Sequence, residues 1–189
     1  MASSVSSVHN LDLTPLAQRL GQLCQQLNVE VTTAESCTGG GVASAITAVP
    51  GSSAYFTAGY VTYSNAAKTR LLGVPDAILE AHGAVSEDVV KAMVQGACRE
   101  SGAELAVAVS GVAGPDGGSA EKPVGTVWLA WGNTEQQQAR CFHFSGDRQA
   151  VREQAVHEAL VGLVAQLSAQ LKGDGKDYGK GNEQGNEKK

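Results

Sequence analysis

Leu16, Leu20, Leu23 and Leu27 recur at helical spacing. Thr14 and Pro15 stand where an N-cap and a first helical residue belong, so the pattern predicts an amphipathic helix over 15–28. Val29 to Ala34 is rich in β-formers and reads as a strand. Gly39-Gly40-Gly41 then opens a second helix that runs through Ile46 and stops at Pro50-Gly51. Tyr55 to Tyr63 reads as another strand, followed by a short helix over 66–72 with Asn65 as cap and Gly73 as terminator. A further short helix is expected over 76–81. Ser86, with Glu87 and Asp88 in the first turn, starts a longer helix that buries Val89, Met93 and Ala97.

The second half changes period. Glu104 to Ser110 contains the unbroken apolar run Leu105-Ala106-Val107-Ala108-Val109, which reads as a strand buried on both faces. A Gly/Pro-rich loop follows over 111–124. Thr126 to Trp131 and Ala139 to Phe144 read as two strands joined by the polar turn Gly132 to Gln138. Asp147 or Ser145 caps a last helix that reaches about Leu171, with Val151, Ala155, Leu160, Leu163 and Leu167 on its core face. Strands alternating with helices, closed by a strand pair, indicate an α/β fold: a three-layer α/β/α sandwich with a mixed sheet.

Composition sharpens the boundaries. The 189 residues, 42% hydrophobic, suffice for one packed domain, which the pattern places over 13–172. Residues 1–12 read as a flexible lead-in. Residues 173–189 are almost wholly Gly, Lys, Asp, Glu, Asn and Gln; they read as a disordered tail with balanced charge. The net charge of −5 and the lack of a basic stripe argue against a nucleic-acid partner. No stretch has transmembrane length and no signal peptide is visible, so a cytoplasmic location is expected. Cys24, Cys37, Cys98 and Cys141 are scattered, and His9, His82, His143 and His157 lack ligand spacing, so no metal and no cofactor is expected.

Four segments carry candidate chemistry. The first, Ala34-Glu35-Ser36-Cys37-Thr38-Gly39-Gly40, places a serine between a strand and a helix whose first N–H groups are bare. Such a turn can hold an anion or an oxyanion, and its serine can attack a carbonyl. Taken alone it is equally consistent with Ser36 and Thr38 serving as helix caps, and Cys37 is an alternative nucleophile without a His nearby in sequence. The second, Tyr63-Ser64-Asn65-Ala66-Ala67-Lys68, brings a phenol and an amine to one end of the sheet, where either could take the serine proton. A half-buried tyrosine and a solvated lysine are the bland counterpart. The third, Ser110 to Gly118, follows the most buried strand, so it should flank the same crevice, with Ser110, Gly111 and Gly114 as substrate-binding candidates. In the fourth, Gly146-Asp147-Arg148, the arginine could clamp a phosphate or carboxylate. Ser119 to Lys122 matches S-x-x-K by chance, with no partner motif.

The segments together resemble one family, the CinA C-terminal-domain proteins, which include the nicotinamide-nucleotide amidases of PncC type. The matching pieces also include L-L-G-V-P at 71–75, H-G-A-V-S at 82–86 and K-P-V-G-T-V at 122–127, in order over about 13–170. The resemblance implies hydrolysis of nicotinamide mononucleotide to nicotinic acid mononucleotide and ammonia, in pyridine-nucleotide recycling. It implies a metal-free site and a homodimer or higher homo-oligomer. It puts the nucleophile on Ser36 and its partners on Tyr63 and Lys68, with N–H groups around Thr38, Gly39 and Gly40 as oxyanion donors. Asn65, Ser110, Gly111, Gly114 and Arg148 would then hold the nucleotide. Full-length CinA proteins add an N-terminal pyrophosphatase domain, which this sequence does not show. A non-catalytic nucleotide-binding paralogue and a serine amidase for another small amide are the alternatives.

Overall fold

The computed structural model describes residues 11–177, with side chains described through 172. Residues 1–10 of the expected lead-in over 1–12, and the part beyond 177 of the expected tail over 173–189, lie outside the described residues. The chain order is α1 (Thr14–Leu27), β1 (Val31–Glu35), α2 (Gly41–Thr47), a 3-10 turn (Ser52–Ala54), β2 (Phe56–Val61) and α3 (Asn65–Leu72). It continues with α4 (Asp76–His82), α5 (Glu87–Ser101), β3 (Leu105–Gly111), β4 (Thr126–Gly132), β5 (Gln137–His143) and α6 (Arg148–Asp177). The strands form one sheet in the order β2-β1-β3-β4-β5. β1 lies parallel to both β2 and β3, while β3–β4 and β4–β5 are antiparallel. This is the expected mixed sheet.

Helices cover both faces, and the central strand explains how. The continuous apolar run of β3 alternates in size. Leu105, Val107 and Val109 face α1, α2 and α6, together with Val127, Leu129 and Trp131 of β4. Ala106 and Ala108 face the other way with Ala34 and Ala130, beneath α5 and its neighbours α3 and α4. Small residues on that face admit a close helix. Gly96 of α5 abuts the end of α3: a Cβ there would stand 2.0 Å from the Leu72 carbonyl oxygen. The same carbonyl accepts from Arg99 Nη2 at 3.0 Å.

Several caps differ from expectation. The N-cap of α1 is Leu13, and Asp12 Oδ1 accepts from the Thr14 amide, because Thr14 is already inside the helix. Ser64, not Asn65, caps α3 by accepting from Ala67 N. Asp147, rather than Ser145, opens α6 by accepting from Ala150 N. The Asn133 side chain accepts from the amides of Glu135 and Gln136, which tightens the hairpin turn and starts β5 at Gln137. The last helix runs to Asp177, past the change of composition at 173.

Replacing Gly96 by Ala should therefore destabilise the protein by about 1–3 kcal/mol, since the added methyl meets backbone rather than a movable side chain. Urea unfolding checks this; an unchanged midpoint would mean α5 has room to shift.

Candidate active site

β1 crosses to β2 on one side and β3 lies on the other, so the carboxyl ends of β1 and β3 form the crevice where an α/β sheet binds ligands. Ser36 follows β1 directly, and its amide donates to the Val109 carbonyl of β3 at 2.9 Å. The turn after it needs glycine, since Gly39 and Gly40 have φ of 60° and 94°.

Lys68 reaches this turn from α3. It is 1% exposed, yet it bears a long charged side chain. Its Nζ lies 3.0 Å from Ser36 Oγ and 2.9 Å from the Thr62 carbonyl oxygen. Burial pushes the Lys68 amine below its usual value of 10.5, partly countered by the neighbouring Cys37 thiol. A neutral amine here can donate to Thr62 and accept the Ser36 proton. Cys37 is buried and its thiol is raised to about 11, chiefly by desolvation, so it is a poor nucleophile beside Ser36.

Tyr63 stands apart from this pair. It is 57% exposed, and its hydroxyl accepts from Arg148 Nη2 at 2.9 Å. Arg148 Nη1 donates to the Gly114 carbonyl, also at 2.9 Å. Arg148 thus bridges the end of β2 and the loop after β3. Ser36 and Lys68 are brought into hydrogen-bond contact; Tyr63 is brought to Arg148.

The remaining candidates divide by what their polar groups already do. The Thr38 hydroxyl donates to Glu35 Oε2 at 2.7 Å, the Gly40 amide donates to the same oxygen at 3.0 Å, and the Gly39 amide donates to the Ser36 carbonyl. Of the expected oxyanion donors, the amides of Gly39 and Gly40 are therefore engaged within the turn, whereas at Thr38 only the hydroxyl is engaged. Among the described residues, the amides of Cys37 and Thr38 have no hydrogen-bond partner. The Ser110 hydroxyl donates to the Ala84 carbonyl at 2.7 Å. Gly111 packs where a Cβ would meet Val127 at 2.7 Å. Asn65 is exposed at the start of α3. Lys122 donates to the His82 carbonyl at 2.7 Å, which pins the 111–124 loop to the end of α4 and gives the S-x-x-K lysine a structural task.

Two residues escaped sequence reasoning. Glu35, wholly buried, accepts four hydrogen bonds around the start of α2. Its place inside the A-E-S-C-T-G-G run was the available signal: a carboxylate before a glycine-opened helix has helix amides within reach. Arg152, one turn after Arg148, donates to the Thr38 carbonyl at 3.0 Å, and its buried Nε has no partner among the described residues. Arg148 and Arg152 line a cleft of about 570 Å3 with Ala113, Gly114, Pro115 and Val124. Ser36 and Lys68 do not line that cleft; Thr38 and Tyr63 connect them to it through the two arginines. No group of side chains suited to a metal ion occurs among the described residues, and no helix there is long and apolar enough to cross a membrane.

The sequence matches the family described as CinA C-terminal domain over residues 13–167. It is 64% identical over 152 residues to a nicotinamide-nucleotide amidohydrolase PncC of Pseudomonas putida, a match covering 80% of this chain and 95% of that one. It is 51% identical over 158 residues to the protein of the same name in Escherichia coli K12, covering 82% and 94%. A crystal structure of a CinA superfamily protein from Klebsiella pneumoniae superposes with a TM-score of 0.81 at 39% identity, covering 84% of this chain and 99% of that one.

The lowered Lys68 amine has a consequence for stability. The folded state holds this proton less tightly than the unfolded chain, so the unfolded state binds more protons in the window just below 10.5. Stability contributed by this group therefore rises as pH rises through that window. Chemical denaturation across it should show the rise in the wild type and a flatter profile in Lys68→Met; equal slopes would contradict the burial effect.

Proposed function

The chain belongs to the CinA C-terminal domain family, and from that membership we propose that it hydrolyses nicotinamide mononucleotide to nicotinic acid mononucleotide and ammonia, within pyridine-nucleotide recycling. The observation that carries this reading is the buried contact of Lys68 Nζ with Ser36 Oγ at 3.0 Å. A hydrolytic serine needs a base within reach whose proton affinity has been reduced, and Lys68 meets both demands.

Lys68, in its neutral form, takes the Ser36 proton while the Thr62 carbonyl holds the amine in line. Ser36 Oγ attacks the carboxamide carbon. The free amides of Cys37 and Thr38 receive the oxyanion, the first being the residue after the nucleophile, as in other strand–turn–helix hydrolases. The protonated Lys68 returns its proton to the leaving nitrogen, and ammonia departs. Water, deprotonated by the same amine, then cleaves the ester and releases the carboxylate. Tyr63 closes the edge of the site from the Arg148 bridge rather than sharing the base's task.

The anionic end of the substrate fits the arginine cleft. Its volume lies within the roughly 300–1,000 Å3 of small-molecule sites. The start of α2 is already filled by Glu35, so a phosphate there would meet a carboxylate. Arg148 and Arg152 are the cations that face the cleft from α6. The net charge of −5 supports a small-molecule rather than a nucleic-acid ligand. A cytoplasmic homodimer belongs to the same proposal.

Three measurements test it. Ser36→Ala is expected to lose ammonia release by roughly 10³-fold or more while circular dichroism stays unchanged; retained turnover would sink the serine mechanism. Saturable binding of the nucleotide by the wild type without ammonia release would instead favour the non-catalytic reading. Replacing Arg148 and Arg152 together by Met should lower kcat/KM for the mononucleotide about 10- to 100-fold, the loss expected for charge-assisted bonds. Turnover of nicotinamide riboside, which lacks the phosphate, should change less than about threefold by the same reasoning. Equal losses on both substrates would place the phosphate elsewhere.

A further inference from the structure

Glu35 is a carboxylate with no exposed surface. No ion pair joins it to Lys68 or to any other cation among the described residues. Its Oε2 accepts from Thr38 Oγ1 at 2.7 Å and from the amides of Gly40 and Val42, each at 3.0 Å. Its Oε1 accepts from the Ala43 amide at 2.8 Å. A buried charge is tolerated only when donors replace its water shell, and here the protein supplies four.

The count of amides through the turn shows what this achieves. Ser36 N is bonded to Val109, Gly39 N to the Ser36 carbonyl, and Gly41 N to the Thr38 carbonyl. Gly40, Val42 and Ala43 give their amides to Glu35. Ser44 N, bonded to the Gly40 carbonyl, begins the regular helix. From 36 to 44, the amides of Cys37 and Thr38 alone are left without a partner among the described residues. A helix N-terminus ordinarily attracts any nearby anion. Glu35 occupies that end of α2 from within and leaves two donors at the nucleophile.

We propose that Glu35 is a positioning residue for the amidase reaction: it fills the N-terminus of α2 and pins the 37–43 backbone, so that the Cys37 and Thr38 amides are held for the oxyanion of the tetrahedral intermediate. Glu35 touches neither substrate nor nucleophile; it acts through the backbone. The inference rests on the proposed serine mechanism. It assigns the amides a transition-state task, so their displacement costs kcat rather than KM.

Glu35→Gln tests it with little change of volume. A glutamine keeps one acceptor oxygen and turns an NH2 group toward amides that need acceptors. With nicotinamide mononucleotide as substrate, kcat per folded molecule should fall about 10²- to 10³-fold, the range for loss of an oxyanion donor, with KM within about threefold. Glu35→Ala empties the carboxylate site; added acetate or formate should then restore part of kcat in this variant and leave the wild type unaffected. Thr38→Val removes one of the four bonds and keeps the carboxylate, so it serves if the Glu35 variants do not fold. Its kcat should fall about 3- to 10-fold at constant KM, a fraction of the full effect. A Glu35→Gln protein with a lowered melting temperature but unchanged kcat would overturn the proposal, as would a rise in KM at constant kcat. Should Ser36→Ala retain turnover, the serine mechanism itself fails; should it be inactive while Glu35→Gln and Thr38→Val keep wild-type kcat, this inference alone fails.

Discussion

A lysine amine packed out of water against a serine hydroxyl is the contact on which the site depends. Burying Lys68 costs free energy because its charged form loses solvation, and among the described residues two oxygens, Ser36 Oγ and the Thr62 carbonyl, replace the lost water. The cost is carried by the fold around it. Lys68 follows the Ser64 cap by four residues, so one turn of α3 turns its side chain inward under the end of β1. Leu72, one turn further, is buried on the same stripe and is held from behind by Gly96 and Arg99 of α5. Alanines on the α5 face of the sheet let that helix pack close beneath. The lowered proton affinity of Lys68 is thus a product of packing some distance from the reacting atoms.

The layers and the turn around Ser36 were legible in the sequence because each has a local signal. Helical spacing, glycines after a strand and the apolar run of β3 all report short-range geometry, and the elements fall within a few residues of the expected positions. The pairing of Ser36 with Lys68 was also legible, but only as a candidate, since two residues 32 apart in sequence meet through the tertiary fold. Tyr63 was read beside them from the Tyr63–Lys68 segment and again by resemblance; the structure puts its hydroxyl on Arg148, a residue 85 positions away whose approach no local pattern encodes.

Glu35 and Arg152 were missed for different reasons. A glutamate at the end of a β-strand reads as solvent-facing, because burial of an unpaired carboxylate is rarely tolerated. What makes it tolerable is the convergence of Thr38, Gly40, Val42 and Ala43, which requires the left-handed turns at Gly39 and Gly40 to be known first. Arg152 reads as one of several polar positions on a long amphipathic helix. Its distinction, contact with the Thr38 carbonyl, depends on α6 lying beside the start of α2.

The two buried ionisable side chains of the site also constrain each other. Glu35 and Lys68 both reach the segment that follows β1 without forming an ion pair; had they paired, the carboxylate would have stabilised the ammonium and raised its proton affinity. Such a lysine would stay protonated beside Ser36 and could not act as the base of the proposed mechanism. Glu35 instead spends its acceptors on backbone amides and one hydroxyl, while Lys68 spends its donors on Thr62 and Ser36. The dominant influence left on the amine is desolvation, which acts toward the neutral form. Separate hydrogen-bond partners for the two side chains are therefore what allow a lysine and a glutamate to be buried close together without cancelling the chemistry of either.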